Sequence, residues 1–386
     1  MKLPSLVAAC ALLALPLSAC SLTESNDDDP KAGGPISVAS SDDACKVSTR
    51  KAESGTLTFR VKNTGSKVTE FYLYGEDGLR IVGEVENVGP GLTRDLVLTA
   101  QPGTYVTACK PGMVGKGIRA AFTVSDSGKD TAVTGVDQAT IDTALGQYAS
   151  YVKDQAGQLV TATREFVTAY KAGDDDRART LFPAARFHWE AIETVAESFG
   201  DLDPRTDLRE ADLEPGQRWT GWHRIEKDLW PPASGYRGLS TRDRATYADD
   251  LMANVTTLHT RVQTLTYTVD QVSNGSKGLL DEVATGKITG EEDIWSHTDL
   301  WDFQANVVGA KVAYETLKPL LDVKDKALST TIGARFTALQ ALLDRYKKGD
   351  GFVFYDTVDE AGRKQLSDAV SALAEPLSKM TGALTL

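Results

Sequence analysis

The side chains best suited to chemistry fall in three short stretches of the chain. In Gly221-Trp222-His223-Arg224-Ile225-Glu226, His223 and Glu226 stand three apart. On a helix they project from one face, where an imidazole nitrogen and a carboxylate can hold one cation between them. Such a pair also arises by chance on solvated helices, and its weight comes from its neighbours. Upstream, Phe187-His188-Trp189-Glu190-Ala191-Ile192-Glu193 stacks Glu190 and Glu193 three apart. It turns His188 about 200° away from Glu190, which predicts a capped or core-facing His188. The acidic loop at 201–210 follows and can aim Asp203 or Asp207 back at the end of that helix. Carboxylates this close repel by on the order of several kcal/mol when desolvated, unless a cation or Arg209 neutralises them. A bound cation is the economical account. The third stretch, 290–303, crowds Glu291, Glu292, Asp293, His297, Asp299 and Asp302 into the start of a helix. Helix capping accounts for Asp299 or Asp302, which leaves Glu292 and, with less reason, His297 as further candidate ligands.

The elements that must carry these residues show two periodicities. From 36 to 125 the pattern has period two, as in Thr56-Leu57-Thr58-Phe59-Arg60-Val61 and Glu70-Phe71-Tyr72-Leu73-Tyr74. Turn signals at Asn63-Thr64-Gly65, Pro90-Gly91 and Pro102-Gly103 punctuate the runs, which predicts a small β-sandwich. Residues 126–136 read as a linker. Beyond it, over 137–386, the period becomes 3.6 and predicts an all-α helical bundle. Helices are expected at 138–171, 176–199, 241–273, 300–323, 327–347 and 359–379.

The chain has 386 residues, 41% of them hydrophobic, with 54 acidic against 42 basic side chains and a formal charge of −12. This composition excludes a disordered chain and fits two or three domains. The negative surface argues against a nucleic-acid partner and favours cations. Residues 1–19 form an apolar stretch behind Lys2, of signal-peptide length, and end in Leu17-Ser18-Ala19-Cys20, which resembles a bacterial lipobox. The mature chain is therefore expected to be exported, anchored to the cell membrane by lipid on Cys20, and joined to the sandwich by a polar tether at 20–35. Cys10 leaves with the signal, so Cys45 and Cys109 remain. An oxidising compartment favours a disulfide between them; paired soft metal ligands are the other reading.

The runs HWEAIETVAESFGDLDPRTDLRE, WTGWHRIEKDLW and KITGEEDIWSHTDLWDFQANVVGAK resemble the EfeO family of bacterial iron-uptake lipoproteins. The resemblance implies a cupredoxin-like β-sandwich followed by an imelysin-like helical bundle. In the first part, Asp43-Ala44-Cys45, Thr69-Glu70-Phe71, Gly83-Glu84-Val85-Glu86-Asn87 and the run from Pro102 to Cys109 carry it. It implies an extracytoplasmic binding protein, not an enzyme, that captures iron and passes it to a membrane iron permease, alongside a haem peroxidase of the same system. The family's metal residues match His223, Glu226, Glu190, Glu193, Asp207 and Glu292 in the helical part. In the β-part they match Cys45, Cys109, Glu70, Glu84 and Glu86, with copper or iron as the ion.

All four histidines, His188, His223, His259 and His297, lie in the helical part, so a copper site with two His and one Cys cannot form in the β-part. Thiolate, carboxylate and Met113 are what that part can offer. His259 reads as a packed or solvated side chain. Two alternatives stand beside iron binding: an imelysin-like metallopeptidase, although neither HExxH nor HxxEH occurs, and a copper-dependent redox protein built on Cys45 and Cys109.

Overall fold

The computed structural model describes residues 34–76, 78, 81–128, 135–213 and 216–385; Cys20 and the signal stretch lie outside them. The alternating segment forms nine strands: β1 Ile36–Ser40, β2 Cys45–Val47, β3 Lys51–Glu53, β4 Gly55–Asn63, β5 Thr69–Tyr74, β6 Ile81–Val88, β7 Thr93–Ala100, β8 Gly103–Cys109 and β9 Ile118–Ser125. They make two sheets, in the orders β2-β1-β4-β7 and β3-β9-β8-β5-β6. Most neighbours are antiparallel, while β1 runs parallel to β4 and β3 parallel to β9. Alternation decides the faces: Leu57, Phe59 and Val61 of β4 meet Phe71 and Leu73 of β5 and Phe122 of β9 in one shared core.

Cys45 and Cys109 are joined in a disulfide, with Cα atoms 5.5 Å apart. The bond ties the edge strand of one sheet to the second sheet. This corrects the reading of Cys45 and Cys109 as metal ligands: sulfurs bonded to each other present no thiolate, and the copper-redox alternative loses the ligands it was built on.

The 3.6-residue pattern becomes helices α1 Gln138–Ala172, α2 Asp175–Glu190, α3 Asp203–Thr206, α4 Trp222–Leu229, α5 Thr241–Val262, α6 Val269–Thr285, α7 Asp299–Lys324, α8 Lys326–Leu343, α9 Glu360–Leu377 and α10 Met380–Thr385. One core runs through them, from Tyr148 and Phe166 of α1 to Trp222 of α4, Leu317 of α7 and Leu373 of α9. The ends of α1 follow ordinary capping: Asp137 accepts from the Thr140 N–H, and Gly173 closes the helix at φ 75°.

Three expected helices are shorter than the periodicity predicts. The helix expected over 176–199 stops at Glu190, and the chain continues as irregular 3-10 turns to Leu202, with Gly200 at φ 69°. The backbone there is pressed between two helices. A Cβ on Gly275 of α6 would lie 1.8 Å from the Thr194 carbonyl oxygen, and one on Gly309 of α7 would lie 2.3 Å from that of Ala191. The helix expected over 241–273 breaks after Val262, because Thr268 and Gln271 form a capping box that starts α6. The one expected over 327–347 ends at Leu343, and Lys347–Lys348 pairs instead with Gly351–Phe352 in a short ladder.

The two halves meet along β7 and α6. Asp270, 1% exposed, accepts from the Thr99 N–H at 2.8 Å, and Asn274 donates to the Val97 carbonyl at 2.7 Å. No helix among the described residues is long and apolar enough to cross a membrane.

The disulfide closes a loop across a sequence separation of 64. On the chain-entropy account, replacing both cysteines by serine costs about 4 kcal/mol. Calorimetry is expected to show a lower unfolding temperature for the sandwich, with the helical transition unmoved.

Candidate metal centre

The site is assembled from the end of α2, the turn after α3, the start of α4, the loop before α7 and the first turns of α7. At its middle stands Arg186 of α2, fully buried. One turn later on the same helix, Glu190 takes one of its N–H groups, and Asp207, just past α3, takes another. Glu292 accepts at 3.0 Å and Asp302 of α7 at 3.1 Å, while Asp293 lies 3.7 Å from Nε. Lys287, 2% exposed, is the second internal cation; it donates to Glu190 and Glu193, each at 2.7 Å. Asn306 adds donors to the same two glutamates at 2.8 and 3.0 Å.

Beside Arg186 lies His223, 2% exposed. Gly221, at φ 88°, lets the chain enter α4 against Thr206, whose carbonyl oxygen would sit 2.0 Å from an added Cβ. His223 Nδ1 is 3.0 Å from Glu226, one turn along the helix. The other Glu226 oxygen accepts from the Trp295 and Ser296 N–H groups at 3.0 and 2.7 Å, so Glu226 is fixed by backbone and in turn fixes the ring. His223 Nε2 faces Asp207 Oδ1 at 3.3 Å and Glu292 Oε1 at 3.4 Å, buried and without an aligned hydrogen bond to either. The Trp189 indole holds the remaining Asp207 oxygen at 2.7 Å. Ligand atoms of Asp207, His223 and Glu292 lie within 4.8 Å of one another, as do those of His223, Glu226 and Asp293, of Glu190, Glu193 and Asp207, and of Glu190, Glu292 and Asp302.

Two charges 4 Å apart interact by about 4 kcal/mol at an effective dielectric of 20, so this crowding governs protonation. Burial opposes charge on Arg186, yet Asp207, Asp302, Glu190 and Asp293 hold its pKa well above the ordinary value. Burial and Arg186 press the His223 pKa down, and Asp207, Glu226 and Glu292 overcome them and raise it well above the usual imidazole range. Asp207 is held below the usual carboxylate range: burial raises it, but Arg186 and His223 outweigh burial. Glu292 is held well below that range against burial by Lys287, His223 and Arg186. For other acids of the cluster burial prevails, even for Glu193 with Lys287 against it. Burial, then Asp207, lifts Asp203 to about 7; burial, with Glu190, pushes Glu193 well up; burial lifts Asp299 to about 6.

His223, Glu226, Glu190, Glu193, Asp207 and Glu292 are thus brought together. Neither Arg186 nor Lys287 was singled out in the sequence, and Arg209, which was, stands at the rim, 3.0 Å from Glu291 and 3.7 Å from Glu292. The i,i+4 spacing of Arg186 and Glu190 was the one available signal. Asp299 and Asp302 do not cap α7; they accept from the Asp293 N–H and from Arg186. His188 is half-buried with Nδ1 2.9 Å from Gln155 Oε1, and His259 is half-buried on α5. His297 contributes backbone: at φ 58° it donates its N–H to the Asp293 carbonyl, and its own carbonyl accepts from Tyr355.

Glu70, Glu84 and Glu86 form no comparable group among the described residues. The strand pleat separates Glu70 from the disulfide, since Phe71, Leu73 and Cys109 point into the core while Tyr72 and Tyr74 lie on the outer face. Glu70 accepts from the Tyr72 hydroxyl at 2.8 Å, and Glu86 lies 3.5 Å from that hydroxyl. Glu84 and Glu86 line a cleft of about 570 Å³ that Arg94, Lys277 and Asp281 share. Met113 is 44% exposed, in the turn that follows β8.

A family model for imelysin matches residues 144–380, and one for a cupredoxin-like domain matches residues 8–124. The iron uptake system component EfeO of Escherichia coli O157:H7 is 35% identical over 358 residues, covering 91% of this chain and 92% of the relative. The proteins of the same description from Escherichia coli K12 and Shigella flexneri match over the same shares at 35% identity.

Two outcomes follow from this geometry. Gly221→Ala drives a Cβ into the Thr206 carbonyl and is expected to cost about 2 kcal/mol or more in thermal unfolding. It also displaces His223. Burial, then Glu70, raises the Glu86 pKa from 4.5 to about 7. Between those values the unfolded chain is ionised at this position while the folded chain still holds its proton, so folding stability falls as pH rises. Glu86→Gln should reduce that fall, read by denaturant unfolding at pH 4.5 and 7.5.

Proposed function

The chain belongs to the imelysin family in its two-domain EfeO form, and from that premise we propose that it is the extracytoplasmic iron-binding component of an uptake system. Iron is the cargo. In this reading His223 Nε2, Asp207 and Glu292 ligate the ion, and Glu226 holds the imidazole so that Nε2 faces it. The observation that carries the proposal is the buried Nε2 directed at two carboxylate oxygens from separate segments. One imidazole with hard oxygens suits iron more than copper. Glu190, Glu193 and Asp293 surround this set and place further carboxyl oxygens beside it.

Export and lipidation at Cys20 would keep the protein at the membrane surface, where it hands iron to a permease and works beside a haem peroxidase. Neither HExxH nor HxxEH is present, and His223 is the sole imidazole in the cluster, so the donor set suits carriage of an ion more than zinc hydrolysis.

Iron binding by the wild type, His223→Ala and Glu226→Gln tests the proposal. Loss of detectable binding is expected for His223→Ala, and about 10- to 100-fold weaker binding for Glu226→Gln, which keeps the shape but loses the charge that orients the ring. Equal affinity in all three would remove the site.

A further inference from the structure

Arg186 and the ion of the proposed site need the same oxygens. The guanidinium donates to Asp207 Oδ1 and Glu292 Oε1, the two atoms that His223 Nε2 faces at 3.3 and 3.4 Å. A metal bound to Nε2 and those oxygens would stand against a buried guanidinium that stays protonated and keeps its charge. On its other side Arg186 has separate holds: Nε donates to Asp302 at 3.1 Å with Asp293 at 3.7 Å, and Nη2 also donates to Glu190. One Asp302 oxygen and one Asp293 oxygen, both buried, have no hydrogen-bond partner and can accept more from it. The all-oxygen end of the cluster is different. There Lys287 and Asn306 both donate to Glu190 Oε2 and to Glu193 Oε2, with no imidazole to recruit a metal.

We propose that Arg186 is a resident competing cation. It holds Asp207 and Glu292 in place for the ion and withdraws toward Asp302, Asp293 and Glu190 when the ion takes those oxygens. Its charge lowers affinity, so that a binding site rich in carboxylates can still release its cargo. The inference rests on the iron-site reading and adds a determinant of affinity to it. Lys287 stays paired with Glu190 and Glu193 throughout, which limits the cluster to one ion.

The test titrates the wild type and Arg186→Gln with zinc(II) and gallium(III), redox-inert stand-ins for ferrous and ferric iron. For whichever ion the wild type takes, Arg186→Gln should bind about tenfold tighter or more, since a buried like charge has been removed. Equal or weaker binding overturns the proposal. Should that variant fail to fold, arginine-labelled wild type decides. Among the described residues Arg186 is the fully buried arginine, so its guanidinium gives the slowly exchanging nitrogen signals. One equivalent of ion should shift its Nη resonances and speed their exchange, and unmoved signals overturn the proposal. A wild type that binds neither ion sinks the iron-site reading with it, whereas binding without these changes sinks this inference alone.

Discussion

A buried guanidinium ringed by carboxylates sets the terms on which the helical half holds together. Arg186 cannot lose its charge, and a charge out of water is tolerable only with partners in good geometry. Those partners come from its own helix, from the turn after α3, from the loop before α7 and from α7 itself. Each of these segments must therefore arrive for the pairing to close. Removing one carboxylate leaves the others and the cation unbalanced. Ion pairs this deep are seldom the cheapest way to stabilise a core, and a core of Leu and Phe would serve as well.

Close backbone approach makes the convergence possible. Gly275 and Gly309 let the turn after α2 lie against α6 and α7, which places Glu190 and Glu193 within reach of Lys287 and Asn306. Gly221 does the same for the entry to α4, and with it for His223. Two of the converging carboxylates are anchored in turn: Glu226 is tied to two backbone N–H groups, and Asp207 to the Trp189 indole. A flexible side chain with alternative partners, as Arg186 has, moves at less cost than any of the helices.

The β-sandwich adds little that can ligate once its cysteines are joined. Glu84 and Glu86 open onto the cleft shared with α6, which Lys277 and Asp281 also line, while Glu70 is buried away from it. The raised pKa of Glu86 there comes from burial and from Glu70, and it requires no bound ion. Attachment of the sandwich to α6 through Asp270 and Asn274 fixes the cleft beside the helix that leads to Lys287.

Local spacing in the chain was enough to determine the two periodicities, the faces of the main strands, and the stacking of His223 with Glu226 and of Glu190 with Glu193, because each depends only on residues a turn or a pleat apart. Spacing left Asp203 and Asp207 as alternatives and Glu292 as one acid among several; the resemblance to the EfeO family is what marked Asp207 and Glu292 as companions. Helix ends were less legible, since α2 stops where glycines of other helices press on the backbone, a constraint no local period carries. Tertiary structure alone decided that Cys45 meets Cys109, that Glu70 faces away from that bond, that Glu226 orients the imidazole, and that Arg186 and Lys287 supply the internal positive charge. The Arg186–Asp302 contact joins positions 116 residues apart. Which cation balances a set of buried acids depends on who shares their low-dielectric space, and only the folded chain brings those groups together.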